Sequence, residues 1–261
     1  GEIVKALEKS IKKQGYFMML YNSNSTDETL KMASAWGIEG LILIGIPPDK
    51  VQSFLDNSQT PAVFIDTYID QPDDRFYNVG HNDFQGAYDI TNYLIESGHR
   101  SIAFLADTED PKGVDEKRKN GFFKALDDNQ IDYSPANYVA INYRYQVRHE
   151  ILREFAKTQL KNYSALFFAS DYLAVDSMNF FFSLGIETPR DVSIVGFDNN
   201  ILSQQSRPRL TTVNQEVIEK SECATDILMN LIHQSEIKEA DVHLPTEVII
   251  RETVNQIEPQ T

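Results

Sequence analysis

Cysteine is nearly absent from this sequence of 261 residues, and no long apolar run occurs in it. The single cysteine, Cys223, rules out an internal disulfide, which is typical of a protein from a reducing compartment. No apolar stretch approaches the roughly 18 residues that a membrane-spanning helix needs, and no signal peptide is visible at the start. We therefore expect a cytoplasmic location and no membrane partner.

Basic side chains are also few in comparison with acidic ones. The chain has 24 Lys and Arg against 39 Asp and Glu, which gives a formal net charge of -15. An acidic surface repels phosphate, so this chain is by itself poorly suited to binding nucleic acid. The hydrophobic fraction of 41% is typical of a globular chain with a sizeable core.

The motifs of common enzymes and metal sites are missing too. No two of the five histidines have the spacing of a metal-binding pair, and none lies beside Cys223. The sequence has no GxSxG nucleophile elbow, no P-loop and no GxGxxG fingerprint after a strand. Paired acids can also hydrolyse glycosides, but no residue pattern here signals that reaction. We expect neither an enzyme nor a resident cofactor or metal.

What the sequence does contain is a regular alternation of short apolar runs and amphipathic helices. The clearest unit has a strand at Ala165–Ala169, a helix that opens at Ser170-Asp171, and a second strand at Val192–Val195. Tyr16–Tyr21 and Pro61–Asp66 predict further buried strands. This alternation predicts an α/β fold with parallel sheets, and the number of strands favours two lobes that divide near residue 80.

Polar side chains follow several of these strands directly. Asn22, Asp66, Asp198 and the Ser170-Asp171 pair each come after an apolar run, and ligands of parallel sheets bind at the carboxyl ends of strands. The alternative for each of these side chains is a purely structural role as a helix cap or a turn residue. Arg118 lies early in a predicted helix, where its charge opposes the helix dipole. This favours a specific partner for Arg118, with a solvated helix face as the alternative. Acids, an arginine and aromatics together are typical of a sugar site.

Specific motifs occur in order along the chain. They include Gly98–Phe104 (GHRSIAF), Asp191–Asp198 (DVSIVGFD) and Leu210–Val213 (LTTV), with Arg118–Phe122 and Ala169–Asp171 between them. On these motifs the chain resembles the effector-binding domain of the LacI/GalR family of bacterial transcription regulators.

The resemblance implies a periplasmic-binding-protein-like fold, in which two Rossmann-like parallel-sheet lobes are joined by three crossover segments and bind the effector between them. The N-terminal lobe would comprise residues 1–80 and 215–241, and the C-terminal lobe residues 81–214 and 242–261. Ser170 stands where the family has an asparagine, and Tyr143 or Tyr145 would be the aromatic that stacks on the ligand. The effector-binding residues expected on this basis, together with the strand-end positions above, are Asn22, Asp66, His81, Arg118, Tyr143, Ser170, Asp171 and Asp198.

The function implied by the resemblance is that of the ligand-sensing and dimerising domain of a DNA-binding repressor. Its partners would be a small effector, a second copy of the chain, and operator DNA reached through a headpiece absent from this sequence. The headpiece and the family's first strand would precede Gly1, so we expect the chain to be a fragment. A sugar or sugar derivative is the expected effector, with a phosphosugar, a nucleobase and a protein corepressor as alternatives. The alternative function is that of an extracellular sugar-binding protein of a transport system.

Overall fold

The computed structural model describes residues 1–23, 25–72 and 74–258. They form two compact units, the first from Gly1–Asn82 with Glu216–Leu244 and the second from Asp83–Gln215 with Pro245–Thr261. The boundary predicted at residue 241 falls at the start of a strand that pairs within the first unit. Pro245 follows that strand and separates it from the next one, which pairs within the second unit.

Helices and strands alternate over most of the chain, as predicted. The helices are α1 (Glu2–Lys13), α2 (Thr26–Trp36), α3 (Pro48–Asn57), α4 (Asp83–Glu96), α5 (Val114–Asp128), α6 (Tyr145–Thr158), α7 (Asp171–Ser183), α8 (Ile201–Gln205) and α9 (Val217–Ile232). The strands are β1 (Leu41–Ile44), β2 (Ala62–Ile65), β3 (Asn78–His81), β4 (Ile102–Ala106), β5 (Tyr138–Ala140), β6 (Ala165–Phe168), β7 (Ser193–Val195), β8 (Thr212–Gln215), β9 (Asp241–Leu244) and β10 (Thr246–Ile249).

The first unit is built on a parallel sheet with the strand order β1-β2-β3-β9. Strands β2 and β3 are buried along their whole length, which explains the unbroken apolar sequence of β2. Helices α1 and α9 cover the sheet, and their apolar stripes share one core cluster with Val63, Ile65 and Val79.

The prediction of a strand at Tyr16–Tyr21 is wrong. The segment forms no strand, and Phe17 and Leu20 are 100% and 68% exposed. A strand needs a neighbour for its backbone N–H and C=O groups. Among the described residues β1 pairs only with β2, and Tyr16–Tyr21 and β1 line the same apolar cavity of about 670 Å³ without pairing. The apolar pattern is therefore present without the hydrogen-bonding partner that a strand requires.

The second unit contains a parallel sheet with the order β5-β4-β6-β7 and an antiparallel pair, β8 with β10. Side chains of the parallel strands alternate between two core clusters. Leu166 and Phe168 pack with residues of α6 and α7, whereas Ala165 and Phe167 pack with residues of α4 and α5. Helices therefore cover both faces, and the carboxyl ends of the strands lead into the N-terminal ends of α5, α6 and α7.

Candidate functional site

Arg118 is the best-defined polar group at the carboxyl edge of the second unit's sheet. Its side chain is 6% exposed, and its Nε donates a hydrogen bond to Asp83 Oδ1 at 2.8 Å. Nη1 donates to the carbonyl oxygen of Ala169, at the end of β6, at 2.6 Å. The guanidinium carbon lies 3.8 Å from the ring centroid of Phe197, a cation–π contact. These contacts fix the guanidinium in one orientation.

The charge of Arg118 is compensated by nearby carboxylates. Burial alone would favour the neutral form, but Asp83, Asp198 and Asp115 together raise the pKa of Arg118 above its usual value. Burial in turn raises the pKa of Asp115, with the charge of Arg118 acting against that shift. A fixed positive group surrounded by acids can orient a ligand rich in hydroxyl groups, because the acids accept hydrogen bonds and the guanidinium donates them.

Asp198 follows β7 and lies beside this arginine. Its Oδ1 is 3.5 Å from Arg118 Nη1, and its side chain remains 32% exposed. The residue has a φ of 120°, and its backbone N–H donates to the carbonyl oxygen of Val213 at 2.9 Å. Gln215 Nε2 donates to the same carboxylate at 3.3 Å. Asp198 is thus a partly exposed acid of the cluster, held by β8.

Asp171 and Ser170, the predicted pair after β6, have different surroundings. Asp171 is 0% exposed, its Oδ2 accepts from the backbone N–H of Asn200 at 2.9 Å, and its Oδ1 accepts from the hydroxyl of Thr212. Burial, with a smaller contribution from the charge of Asp198, raises the pKa of Asp171 to about 7. Ser170 is the N-cap of α7, since its Oγ accepts from the Leu173 N–H at 3.4 Å. The contacts of Asp171 tie α7 to the segment that follows Asp198.

The remaining predicted residues are divided between the units. Tyr143 belongs to the second unit, follows β5 and is 65% exposed. In the first unit, Asp66 directly follows β2, has a φ of 56° and accepts from Lys220 Nζ at 2.7 and 2.9 Å. His81 ends β3 and is 0% exposed, whereas Asn22 is exposed in the loop that precedes α2. The structure thus brings Arg118 and Asp198 into contact and gives Asp66 a lysine partner.

Sequence reasoning missed three charged residues that form ion pairs in the structure: Asp83, Lys220 and Arg148. Asp83 is the first residue of α4, and its carboxylate holds Arg118. Lys220 lies on α9, 154 positions from Asp66, and is 2% exposed. Arg148 on α6 is 0% exposed and pairs with Asp176 at 2.7 Å. A lysine or arginine inside a charged helical sequence gives no signal of such burial.

The residues described by the structure contain no cluster of His, Cys, Asp and Glu that could hold a metal ion. Within 1–23, 25–72 and 74–258, no helix is long and apolar enough to cross a membrane.

A model of the periplasmic binding protein-like domain matches residues 91–254, which is more than half of the chain. The chain belongs to this family. The matched range contains Arg118, Asp171 and Asp198, and the family assignment confirms the predicted fold class of parallel α/β sheets.

Similar proteins refine this assignment within the periplasmic-binding-protein-like family. The probable HTH-type transcriptional repressor ExuR of Bacillus subtilis is 30% identical over 232 residues, which cover 84% of this chain and 65% of that protein. Among solved structures, a LacI family regulator from Enterococcus faecium with bound ribose has a TM-score of 0.84 at 23% identity, with 98% of this chain and 94% of that chain covered. The lac repressor dimer bound to operator also has a TM-score of 0.84, at 21% identity, with 97% and 88% covered. All three are transcription regulators by name, and the matches confirm the resemblance to LacI-type effector domains.

Proposed function

We propose that this chain is the effector-binding and dimerising part of a DNA-binding transcriptional repressor. In this proposal the protein works in the cytoplasm as a homodimer and reaches operator DNA through a headpiece outside this sequence. The matched portion of ExuR, a repressor by name, supports this role, as does the fold shared with the lac repressor. Both are regulators and not transport proteins, which favours the repressor role over the transport alternative. The acidic composition is consistent with it, since DNA contact would fall to another part of the protein.

The proposed effector is a sugar or sugar derivative, and Arg118 with Asp198 forms the core of its site in the second unit. The observation that carries this proposal is the buried guanidinium fixed by Asp83 and Ala169 beside a carboxylate that keeps 32% exposure. A fixed donor next to an exposed acceptor suits vicinal hydroxyl groups, which both donate and accept. The ribose bound to the Enterococcus faecium regulator supports the same class of ligand. Ser170 and Asp66 are further proposed contacts, and Asp171 is proposed to act by positioning Asp198.

Calorimetric titration with D-ribose, D-glucose, cellobiose and D-glucuronate tests the effector class. At least one of these sugars should bind the wild type and raise its melting temperature, because a ligand of the folded state stabilises it. Asp198→Asn removes a charged acceptor and should weaken that binding by about tenfold, which corresponds to about 1.4 kcal/mol. Arg190→Gln is the matched control, because this arginine is 63% exposed and pairs only locally with Glu187 and Asp191. Equal affinity of wild type and Asp198→Asn would contradict the proposed site.

A test of the regulatory role requires the full-length natural protein, including any sequence upstream of Gly1. We expect that sequence to encode a DNA-binding module, and we expect the bound sugar to change the affinity of the dimer for its operator in a gel-shift assay. A secretion signal in its place would refute the repressor proposal and favour the transport alternative.

A further inference from the structure

Asp115 is an acid at the carboxyl edge of the second unit's sheet for which the proposed sugar site gives no role. It lies in the first turn of α5, three positions before Arg118, and residues at this spacing share one face of a helix. Its side chain is half-buried. Against the effect of burial, its charge acts with those of Asp83 and Asp198 to raise the pKa of Arg118. Asp115 therefore lies beside the guanidinium around which the site is built.

Among the described residues, carboxylates outnumber cations around Arg118. Asp83 accepts from its Nε at 2.8 Å, and Asp198 lies 3.5 Å from its Nη1. Asp107 directly follows β4 at the same edge. Burial raises the pKa of Asp115, and the charges of Asp107 and Asp83 act in the same direction, against that of Arg118. A ligand with a negative charge would therefore meet a surplus of negative charge here.

The guanidinium of Arg118 is itself poorly placed to receive an anion. An arginine usually binds a carboxylate or a phosphate through two parallel N–H donors on neighbouring nitrogens. In Arg118, Nε donates to Asp83, and Nη1 donates to the carbonyl oxygen of Ala169 at 2.6 Å. Each possible pair of neighbouring nitrogens includes Nε or Nη1, so a bidentate anion would compete with an existing partner. A sugar hydroxyl needs only one donor.

Other groups that could attract an anion to this edge are also offset. The N-terminal end of α5 is the positive end of the helix dipole, but it carries acidic residues in its first turn. Two further arginines near the edge have their own partners. Arg148 pairs with Asp176 at 2.7 Å, and Arg251 donates to the side chain of Asn199 and to the carbonyl oxygen of Leu210.

We propose that Asp115 is a specificity-determining residue that, together with Asp198, repels anionic sugars from the effector site. The effector is then an uncharged sugar, and uronates and sugar phosphates are rejected because of their charge. Discrimination of this kind arises from repulsion of the wrong ligand as much as from attraction of the right one. The inference rests on the proposed function and narrows its class of effector.

Calorimetry with a matched pair of sugars tests the charge preference. The uncharged probe is whichever of D-ribose, D-glucose and cellobiose binds the wild type most tightly, and the anionic probe is the same sugar phosphorylated at a primary hydroxyl. The wild type should prefer the uncharged probe by at least about a hundredfold, because like charges in close contact are costly. Asp115→Asn keeps the size of the side chain and removes its charge, so it should narrow this preference by about tenfold.

The ratio of the two affinities separates charge selection from a general structural effect. A role of Asp115 confined to stability would change both affinities equally and leave the ratio as it is in the wild type, which would overturn the inference. Glu116→Gln is the matched control, because Glu116 is exposed and, two positions from Arg118, faces away from it. This variant loses the same charge and should keep the wild-type preference. An equal narrowing in Glu116→Gln would also overturn the inference, since net charge alone would then set the preference.

The proposed function and this inference can fail separately. If D-glucuronate or a sugar phosphate binds the wild type more tightly than every uncharged probe, the charge selection is refuted and a sugar derivative remains the effector. If an uncharged sugar binds and Asp198→Asn weakens it while Asp115→Asn leaves the preference unchanged, only the role of Asp115 is refuted. If none of these sugars binds the wild type, both are refuted.

Discussion

Arg118 and Asp83 form an ion pair in which Nε donates to Oδ1 at 2.8 Å, with side chains only 6% and 1% exposed. Taking both charges out of water is costly, and the pair is tolerated because the guanidinium has further partners. Nη1 of Arg118 donates a hydrogen bond to the carbonyl oxygen of Ala169, and the ring of Phe197 covers one face of the guanidinium. The pair therefore holds the arginine rigidly, and Asp198 is a partly exposed acid beside it.

Asp83→Ala is expected to destabilise the second unit strongly. The substitution removes the closest acid of a buried guanidinium, and breaking a buried pair from one side costs about 3–5 kcal/mol. Urea denaturation followed by circular dichroism measures the change in the free energy of unfolding. Asp128→Ala is the matched control, because it breaks the exposed pair with Lys124, and it should leave the urea midpoint nearly unchanged. Equal losses of unfolding free energy in the two variants would show that the buried Arg118–Asp83 pair contributes no more to stability than the exposed pair.

Asp171 should make stability depend on pH between about 4 and 7. Its pKa in the folded protein is raised to about 7 from an ordinary value of 3.8, mainly by burial. The folded protein therefore holds a proton in this range that the unfolded chain has released. Stability from this group is fully present below about pH 4 and is lost as the pH rises through about 7, with a slope of at most about 1.4 kcal/mol per pH unit.

Asp171→Asn isolates this effect because the amide does not titrate. Its oxygen can accept from the Asn200 N–H, and its NH₂ group can donate to the Thr212 hydroxyl, so these two contacts of the carboxylate have substitutes. Urea midpoints measured at several pH values across this range should fall with pH more steeply for the wild type than for the variant. Parallel pH profiles would refute the raised pKa.

The parts of the molecule that could be predicted from sequence depend on local patterns. Runs such as Ala165–Phe168 form buried strands because their apolar side chains alternate between two helical layers. Ser170 caps α7 through a contact that spans only three residues. The proximity of Arg118 and Asp198 follows from a family resemblance and from the shared carboxyl edge of parallel strands, not from any local pattern.

The parts that could not be predicted depend on distant partners. Tyr16–Tyr21 has the composition of a strand but pairs with no neighbouring strand among the described residues. The contact of Lys220 with Asp66 joins residues 154 positions apart, and nothing near Lys220 in the sequence distinguishes it from the solvent-exposed charges of α9. Arg148 likewise becomes a buried connector only once α6 and α7 lie side by side.

The Asp66–Lys220 pair should respond unequally to the loss of its two members. Lys220 is 2% exposed and Asp66 is 26% exposed at the side chain, with Nζ 2.7 and 2.9 Å from the two carboxylate oxygens. Asp66→Ala removes these contacts from a buried ammonium and should cost about 3 kcal/mol in free energy of unfolding. Lys220→Met should cost about 1 kcal/mol, since methionine replaces much of the apolar stem and the carboxylate stays hydrated. Chemical denaturation of both variants measures the difference, and a larger cost for Lys220→Met would contradict the burial argument.

Gly121→Ala should force α4 and α5 apart. A Cβ at Gly121 would lie 2.2 Å from the carbonyl oxygen of Phe84 and 3.0 Å from the Cβ of Ala87, so the helix backbones approach too closely for any side chain. Because a well-packed interior cannot yield at a backbone contact, we expect a loss of about 3 kcal/mol in the free energy of unfolding despite the better helix propensity of alanine.

Gly185→Ala is the control, since its φ of 81° makes alanine strained but no atom lies within 4 Å of the added Cβ. That variant should lose only about 1 kcal/mol from backbone strain. Urea denaturation of both variants, with amide hydrogen exchange across α4 and α5, gives the comparison. If Gly121→Ala exchanges no faster than Gly185→Ala in these two helices, the close approach does not limit the stability of the second unit.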